Sequence, residues 1–254
     1  LNKNFNLMTD RLKLQQEKLI INERYEAWGS LARKLAHEIK NPLTPIQLTI
    51  DRIKNKYSDQ ISKDDQNNFS DNLKIINNQI KQIEKLVNEF SDFARMPKPV
   101  FKKHNIIDII QANIKLMNEI DLSIKIDFKY NNPKIFLNCD KEQISRVFLN
   151  LIKNSIESIK VKAEKIANLK KNIAIELIKN NNQIFVSVRD NGVGFGNIKN
   201  NIKDIINPYF TTKKNGTGLG LSIVSKIIND HHGTINFKSH DDGALVEIIF
   251  KNDQ

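Results

Sequence analysis

Residues 183–194 read Gln183-Ile184-Phe185-Val186-Ser187-Val188-Arg189-Asp190-Asn191-Gly192-Val193-Gly194. A run rich in β-branched and aromatic residues reads as a strand, and it ends in an aspartate and two glycines. Glycines at a strand end let the backbone come close to a ligand. The carboxylate of Asp190 can accept from an exocyclic amine. Taken alone, the stretch also fits an ordinary turn after an edge strand.

Working outward, Ile173 to Lys179 reads as a second strand, joined to Gln183–Arg189 by the turn Asn180-Asn181-Asn182. Asn191 to Thr217 is a long Gly- and Asn-rich connection, the kind that serves as a functional lid or stays disordered. It ends in Asn215-Gly216-Thr217-Gly218-Leu219-Gly220-Leu221, which runs into a helix over Leu219 to Asp230. Unpaired N–H groups at a helix N-terminus favour phosphate, and a flexible connection is the alternative reading of the stretch. The spacing is not that of a P-loop. Thr234 to Lys238 and Ala244 to Phe250 form a closing hairpin through Asp242-Gly243.

Upstream, a helix-like stretch covers about 105–118 and a strand Leu122 to Tyr130, and Asp140 N-caps a helix running to about Lys160. That helix carries Asn150-Leu151-Ile152-Lys153-Asn154, two amides one turn apart on one face. Their oxygens suit a magnesium ion that keeps several waters and bridges phosphates, or they are polar positions on an exposed face. Strands in one layer and helices in the other make an α+β domain.

Met96-Pro97-Lys98-Pro99 ends the part before it, because proline removes a donor and disfavours helix just upstream. In that part Leu31, Leu35, Ile39, Leu43, Ile46, Ile50, Ile53 and Tyr57 recur at steps of three and four. After the polar stretch Ser58 to Asn67, so do Phe69, Leu73, Ile76, Ile80, Ile83, Val87 and Phe90. Two stripes with a polar connection read as an antiparallel helical hairpin. One hairpin cannot bury both stripes, so we expect two copies to pair into a four-helix bundle, a homodimer. Residues 1–24 carry a weak heptad signal and read as a helical lead-in that transmits a signal, or else as a frayed terminus. The expected division is 1–24 lead-in, 25–96 helical hairpin, 97–104 linker and 105–254 α+β domain.

Composition narrows the function classes. The chain has 254 residues, 39% hydrophobic and 27% charged, which excludes collagen-like and wholly disordered chains. No run of about 18 apolar residues marks a transmembrane helix, and no signal-peptide pattern opens the chain. Leu1 in place of an initiator methionine leads us to expect a piece of a longer protein. The single Cys139 excludes an intrachain disulfide and a Cys-based zinc site, and suits a reducing compartment. The net charge is +11, but the lysines are scattered, with no basic stripe interleaved with aromatics. Direct nucleic-acid binding is therefore not expected, whereas a polyanionic nucleotide would be welcome.

The hairpin carries His37-Glu38-Ile39-Lys40-Asn41-Pro42. Glu38 can hold the imidazole Nδ1–H and leave Nε2 as a nucleophile. Pro42 and Pro45 would bend the helix just below. Zinc binding of the HExxH kind fails at Asn41. A packed surface histidine is the alternative.

The order HExxNP, NLxxN, DNGVG and GTGLGL resembles the sensor histidine kinases of two-component systems, with a dimeric helical-hairpin (four-helix bundle) domain and a Bergerat-type α/β sandwich that binds ATP. The resemblance runs over about residues 25–250. Residues 24–57, RYEAWGSLARKLAHEIKNPLTPIQLTIDRIKNKY, and the FARMPKP stretch at 93–99 are similar to the NtrY-type nitrogen-regulation kinases.

The resemblance implies that His37 is the phosphoacceptor, with Glu38 its base and orienting partner, and that Asn41 positions water for dephosphorylating a response regulator. Asn154 would ligate magnesium, with Asn150 in support. Asp190 would take the adenine amino group, with Gly192 and Gly194 closing round the base. Pro208-Tyr209-Phe210-Thr211-Thr212-Lys213 is similar to the lid segment called the F box. Gly216, Thr217, Gly218, Leu219 and Gly220 match the phosphate-side glycine box. Many relatives carry a basic residue three positions after the magnesium asparagine, where this chain has Glu157. That carboxylate could hold a metal-bound water, and charge compensation would fall to Arg146, Lys153 or Lys213. ATP and Mg2+ are the expected cofactors, and the receiver domain of an NtrX-like response regulator the expected partner. The chain would be the cytoplasmic portion of an inner-membrane sensor, tied to the membrane only through an upstream segment. The competing expectations are a phosphatase-dominant enzyme, a chaperone- or repair-type ATPase sharing the nucleotide fold, and a degenerate kinase acting as a scaffold.

Overall fold

The computed structural model describes residues 34–94, 96–180, 182–195, 205–208, 210, 211, 213, 216–240 and 242–251. The expected lead-in at 1–24, together with Tyr209 and Thr212, lies outside them. The chain divides into two compact units, Leu1–Pro97 and Lys98–Gln254.

In the first unit a helix over residues 34–57 (α1) leads through a 3-10 turn, Ser58–Gln60, into α2, Lys63–Ala94. Ser62 caps the start of α2: its Oγ accepts from Asp65 N at 3.3 Å and donates to the Asp65 carboxylate at 2.8 Å. Asp64 and Asp65 also place negative charge on the positive end of the helix. The hairpin core is Leu43, Ile50, Leu73 and Ile80, with Phe69 packed on it, and Ala36 and Val87 are buried on the same two helices. These recur every seven residues on each helix (36, 43, 50 and 73, 80, 87), the spacing of a coiled-coil seam. Between the two apolar layers Gln47 Nε2 donates to Asn77 Oδ1 at 2.6 Å.

Each stripe therefore splits in two. Leu35, Ile39, Ile46, Ile53 and Tyr57 on α1, and Ile76 and Ile83 on α2, stay exposed in the single chain.

The second unit layers three helices over a sheet. Its strands are β1 (Lys102–Asn105), β2 (Lys125–Tyr130), β3 (Phe136–Cys139), β4 (Asn172–Lys179), β5 (Gln183–Asp190), β6 (Thr234–His240) and β7 (Gly243–Lys251). Its helices are α3 (Ile106–Ile120), α4 (Lys141–Ala163) and α5 (Gly220–Asp230). The five-stranded sheet runs β2-β4-β5-β7-β6, with β2 and β4 parallel and the other neighbours antiparallel. Ile173, Ile175 and Leu177 of β4, Ile184, Val186 and Val188 of β5, and Ile248 and Phe250 of β7 are buried, as are Ile144, Val147, Phe148, Leu151 and Ile152 of α4 and Val224, Ile227 and Ile228 of α5. Each such side chain contributes about 1.5–3 kcal/mol on burial.

Asp140 N-caps α4 as expected, its Oδ1 accepting from the N–H groups of Glu142 and Gln143 at 3.0 and 3.1 Å. Two expectations change. The strand expected from Leu122 begins only at Lys125, because Asp121 Oδ1 accepts from both the backbone N–H and the hydroxyl of Ser123 and makes a turn there. The stretch 97–104, expected as a linker, supplies most of β1, which pairs antiparallel with β3. Val100 N–H also donates to the Asp140 carboxylate at 3.0 Å, anchoring the chain ahead of β1.

Candidate functional site

In the first unit His37, Glu38 and Asn41 are all exposed on α1, next to buried Ala36. The Asn41 amide nitrogen stands 3.4 Å from His37 Nδ1, one helical turn away. The neighbour of Nδ1 is thus Asn41, where the sequence pointed to Glu38. The helix runs on through Pro42 and Pro45. Proline has no N–H, so the carbonyls of Glu38 and Asn41 have no helical donor four residues on.

In the second unit α4 carries two adjacent polar rows. Asn150, Asn154 and Glu157 form one, and Ser155, Ser158 and Lys162 the other, each at steps of three and four.

The second row grips the end of β5. Ser155 Oγ donates to Asp190 Oδ2 at 3.0 Å, and Asp190 Oδ1 accepts from Gly192 N at 2.9 Å. Ser158 Oγ accepts from Val193 N at 3.0 Å, and Lys162 Nζ donates to Asp242 O at 2.8 Å. Gly192 has no room for a side chain, because a Cβ would overlap Ser158. Gly194 has φ +69°, the left-handed region that favours glycine. Asp190 is 7% exposed, and burial pushes its carboxyl pKa up against the pull of its donors. The Ser155 hydroxyl and the N–H groups of Gly192 and Ala244 occupy three of the four lone pairs of the carboxylate, which leaves one to accept from a ligand.

The first row faces the glycine-rich segment. A Cβ on Gly220 would stand 3.4 Å from Asn150 Oδ1 and 3.6 Å from Asn154 Nδ2, so the first turn of α5 abuts both asparagines. Leu219, the N-cap of α5, makes no side-chain cap bond, which leaves first-turn N–H groups for an anion. Lys213 reaches over the same face, its Nζ donating to Asn154 Oδ1 at 3.2 Å and Glu157 Oε2 at 2.6 Å. Thr211 Oγ1 accepts from Lys213 N at 3.1 Å, and Gly216 N donates to Lys213 O at 3.2 Å, tying Lys213 to residues on either side of it. Phe210 is exposed, and Thr217 Oγ1 accepts from Leu219 N at 3.4 Å. Thr212 lies outside the described residues. Asn150 Nδ2 donates to Arg146 O at 2.8 Å, leaving its oxygen toward Gly220.

The oxygens of Asn154 and Glu157 already hold one cation, an ammonium. A hard divalent ion such as magnesium fits that donor set. Among the described residues there is no cluster of three or more His, Cys, Asp or Glu side chains that could hold a metal ion. Cys139 is buried and its thiol pKa is pushed up to about 12 by burial, which keeps it out of thiolate chemistry.

Ser155, Ser158 and the Glu157–Lys213 pair escaped the sequence reading. The serine spacing on α4 was a usable signal for the first two, whereas the pair spans 56 residues.

Comparison with known proteins bears on both units. Residues 27–99 match the His Kinase A (phospho-acceptor) domain, and residues 139–254 match the histidine kinase-, DNA gyrase B- and HSP90-like ATPase domain. A protein of Rickettsia prowazekii (strain Madrid E) named as an NtrY-like sensor histidine kinase is 35% identical over 247 residues, covering 97% of this chain and 40% of its own length. This chain thus spans well under half of that relative. The catalytic domain of the histidine kinase ThkA is 28% identical, with a TM-score of 0.51, over 60% of this chain and 97% of that one. ThkA in complex with the response regulator protein TrrA shares the fold over 95% of this chain and 66% of that one, at 24% identity and a TM-score of 0.61. With the phospho-acceptor domain followed by the ATPase domain, and both in the sequence order of its motifs, this chain belongs to the histidine kinases.

Proposed function

We propose that this chain transfers the γ-phosphoryl group of ATP to His37 and passes it on to an aspartate of a response regulator. The observation that carries this is the convergence on α4: Asp190, Asn150, Asn154 and the uncapped start of α5 surround one face of one helix. Such a face can hold adenine at Asp190 and phosphates at the α5 N-terminus.

In the transfer, His37 Nε2 attacks the γ-phosphorus, a P–N bond forms and the bond to the ADP oxygen breaks. Phosphoryl transfer depends on alignment and charge neutralisation more than on covalent help. Turned with Oδ1 to the ring, the Asn41 amide accepts from Nδ1–H and leaves the Nε2 lone pair for attack. As the P–N bond forms the ring turns cationic, and Glu38, next to His37, acts as base by taking the proton from Nδ1 in place of the Asn41 contact. Magnesium, held by Asn154 with Glu157 beside it, would neutralise developing phosphate charge.

We further propose that the exposed row on α1 and α2 pairs two chains into a four-helix bundle. The partner is the receiver domain of a response regulator; the solved ThkA complex supports that class, and similarity to an NtrY-like protein supports one of NtrX type. The parent protein is a membrane sensor whose cytoplasmic part includes this chain. Among the described residues no helix is long and apolar enough to cross a membrane.

The test is incubation with magnesium and γ-labelled ATP, comparing wild type with His37→Gln. Acid-labile, alkali-stable label in wild type alone is expected. Equal label in both would remove His37 from the reaction.

The contact between Asn41 and His37 favours a second activity, removal of phosphate from the regulator with Asn41 positioning the water. Asn41→Ala should then keep autophosphorylation and slow the decay of a phosphorylated receiver. Unchanged decay would dismiss that role.

A further inference from the structure

The ammonium of Lys213 rests on the two oxygens best placed for a divalent ion, those of Asn154 and Glu157. The lysine and glutamate side chains are 36% and 42% exposed, so the pair is screened by water and stabilises the fold little. Such a contact is easily given up. Glu157 lies three residues after Asn154 and holds the lysine over the asparagine oxygen. A monovalent and a divalent cation cannot share that oxygen at hydrogen-bond distance, because their repulsion is strong at a few ångströms. A polyphosphate offers the ammonium a stronger, charge-assisted set of acceptors within the same face.

We propose that Lys213, positioned by Glu157, is a tethered cation that occupies the divalent-ion position at Asn154 in the nucleotide-free protein and moves to the polyphosphate when a metal–nucleotide complex arrives. The inference rests on the nucleotide-binding role proposed above. It makes Glu157 a positioning residue, and it explains how a carboxylate is tolerated beside a triphosphate: the lysine that accompanies it cancels its charge before binding and serves the phosphates afterwards.

The test uses the whole chain and two titrations that need no turnover. Free Mn2+ is titrated without nucleotide, followed by its electron paramagnetic resonance signal, and a fluorescent ATP analogue is titrated in EDTA. Lys213→Met should bind free Mn2+ about tenfold tighter than wild type, and metal-free nucleotide about tenfold weaker. Glu157→Gln keeps the shape but releases the ammonium. It should bind metal-free nucleotide at least as tightly as wild type and free Mn2+ no tighter.

Lys213→Met affinities unchanged in either titration, with wild-type nucleotide binding intact, would overturn the exchange and leave the nucleotide site standing. A wild-type chain that binds no nucleotide, with or without Mg2+, would overturn both.

Discussion

His231 Nε2 accepts a hydrogen bond from the backbone N–H of Asp140 at 3.0 Å, and its Nδ1 lies 2.8 Å from Ile227 O. One buried neutral imidazole thereby joins the C-terminal end of α5 to the N-terminal end of α4, the two helices that carry the asparagines and the glycine box. Phe101 lies edge-on to the ring at 5.2 Å, so the segment entering the second unit packs on the same joint.

Protonation of His231 would turn its Nε2 from acceptor to donor and lose the Asp140 bond. Burial lowers its pKa below the usual 6.5, against the opposing pull of Ile227 O, Asp140 and Asp230, while His232 adds to the lowering. The unfolded chain therefore takes up the proton first. This histidine's stabilising contribution is full above about pH 6.5 and shrinks as pH falls through that value. Asp140 acts in a lower window. Its pKa is lowered, with burial outweighed by the N–H donors of Val100, Gln143 and Glu142, so its contribution is lost only below about pH 4. We expect the urea midpoint of the second unit to fall between pH 7.5 and 5.5 by the equivalent of about 1 kcal/mol, and His231→Gln to flatten that dependence. A wild-type midpoint constant across that range would remove His231 as the titrating joint.

The next residue, His232, has φ +58°. Its N–H donates to Asn229 O at 3.0 Å and Gly233 N–H to Ile228 O at 2.9 Å, the pair of bonds that closes a helix in a Schellman motif. That motif places a left-handed residue at the position His232 fills, where glycine is preferred. Its ring stacks on Phe101 with centroids 6.2 Å apart, which offsets part of the strain. His232→Gly should raise stability by about 0.5–1 kcal/mol, read from thermal or urea unfolding. A loss of stability would show that the stacking outweighs the backbone strain.

Where sequence and structure agree, the signal is local. Asp140 reads as an N-cap because capping is decided within three residues, and β4, β5 and β7 read as strands because their apolar residues are dense and β-branched. Where they part, the cause is distant. β1 is Lys102-Lys103-His104-Asn105, with no apolar residue, and becomes a strand only because β3 lies beside it. The apolar stripe of α1 was legible as a stripe. Its division into an inner row and an outer row depends on the facing helix, since seven-residue and three-four spacings overlap along one chain. At the site, the motifs mark Asn154 and Asp190, but the Ser155 hydroxyl that grips Asp190 and the Lys213 ammonium that caps Asn154 arrive through tertiary contact.

The outer row can be tested at Ile46, which is 46% exposed in the single chain. A charge there disturbs little within one hairpin but would be buried between two. Wild type should run at twice the chain mass in light scattering. Ile46→Glu should run as a monomer with its helix content kept, since burying an isoleucine is worth about 1.5–3 kcal/mol and two copies are lost per dimer. A dimer that survives the substitution would place the contact elsewhere on the hairpin.

In the proposed nucleotide site, Asp190 would trade stability for binding. Its pKa is raised, chiefly by burial, so the folded protein bears a cost once the group ionises above its usual value of 3.8. That cost grows as pH rises through the folded value, the opposite sign to Asp140. Asp190→Asn removes the buried charge at constant shape. The N–H groups of Gly192 and Ala244 can share the two lone pairs of the remaining oxygen, and the Ser155 hydroxyl can turn to accept from the new amide. Stability at pH 7.5 should therefore hold within about 1 kcal/mol of wild type or rise. Nucleotide affinity should fall by at least about tenfold, roughly 1.4 kcal/mol, because the amide presents donors where an exocyclic amine needs an acceptor. Unfolding midpoints and nucleotide titrations on the same two proteins separate the effects. A variant that is destabilised and binds nucleotide normally would make Asp190 a structural brace at the end of β5, and the adenine contact would then have to be sought on another residue of the same face.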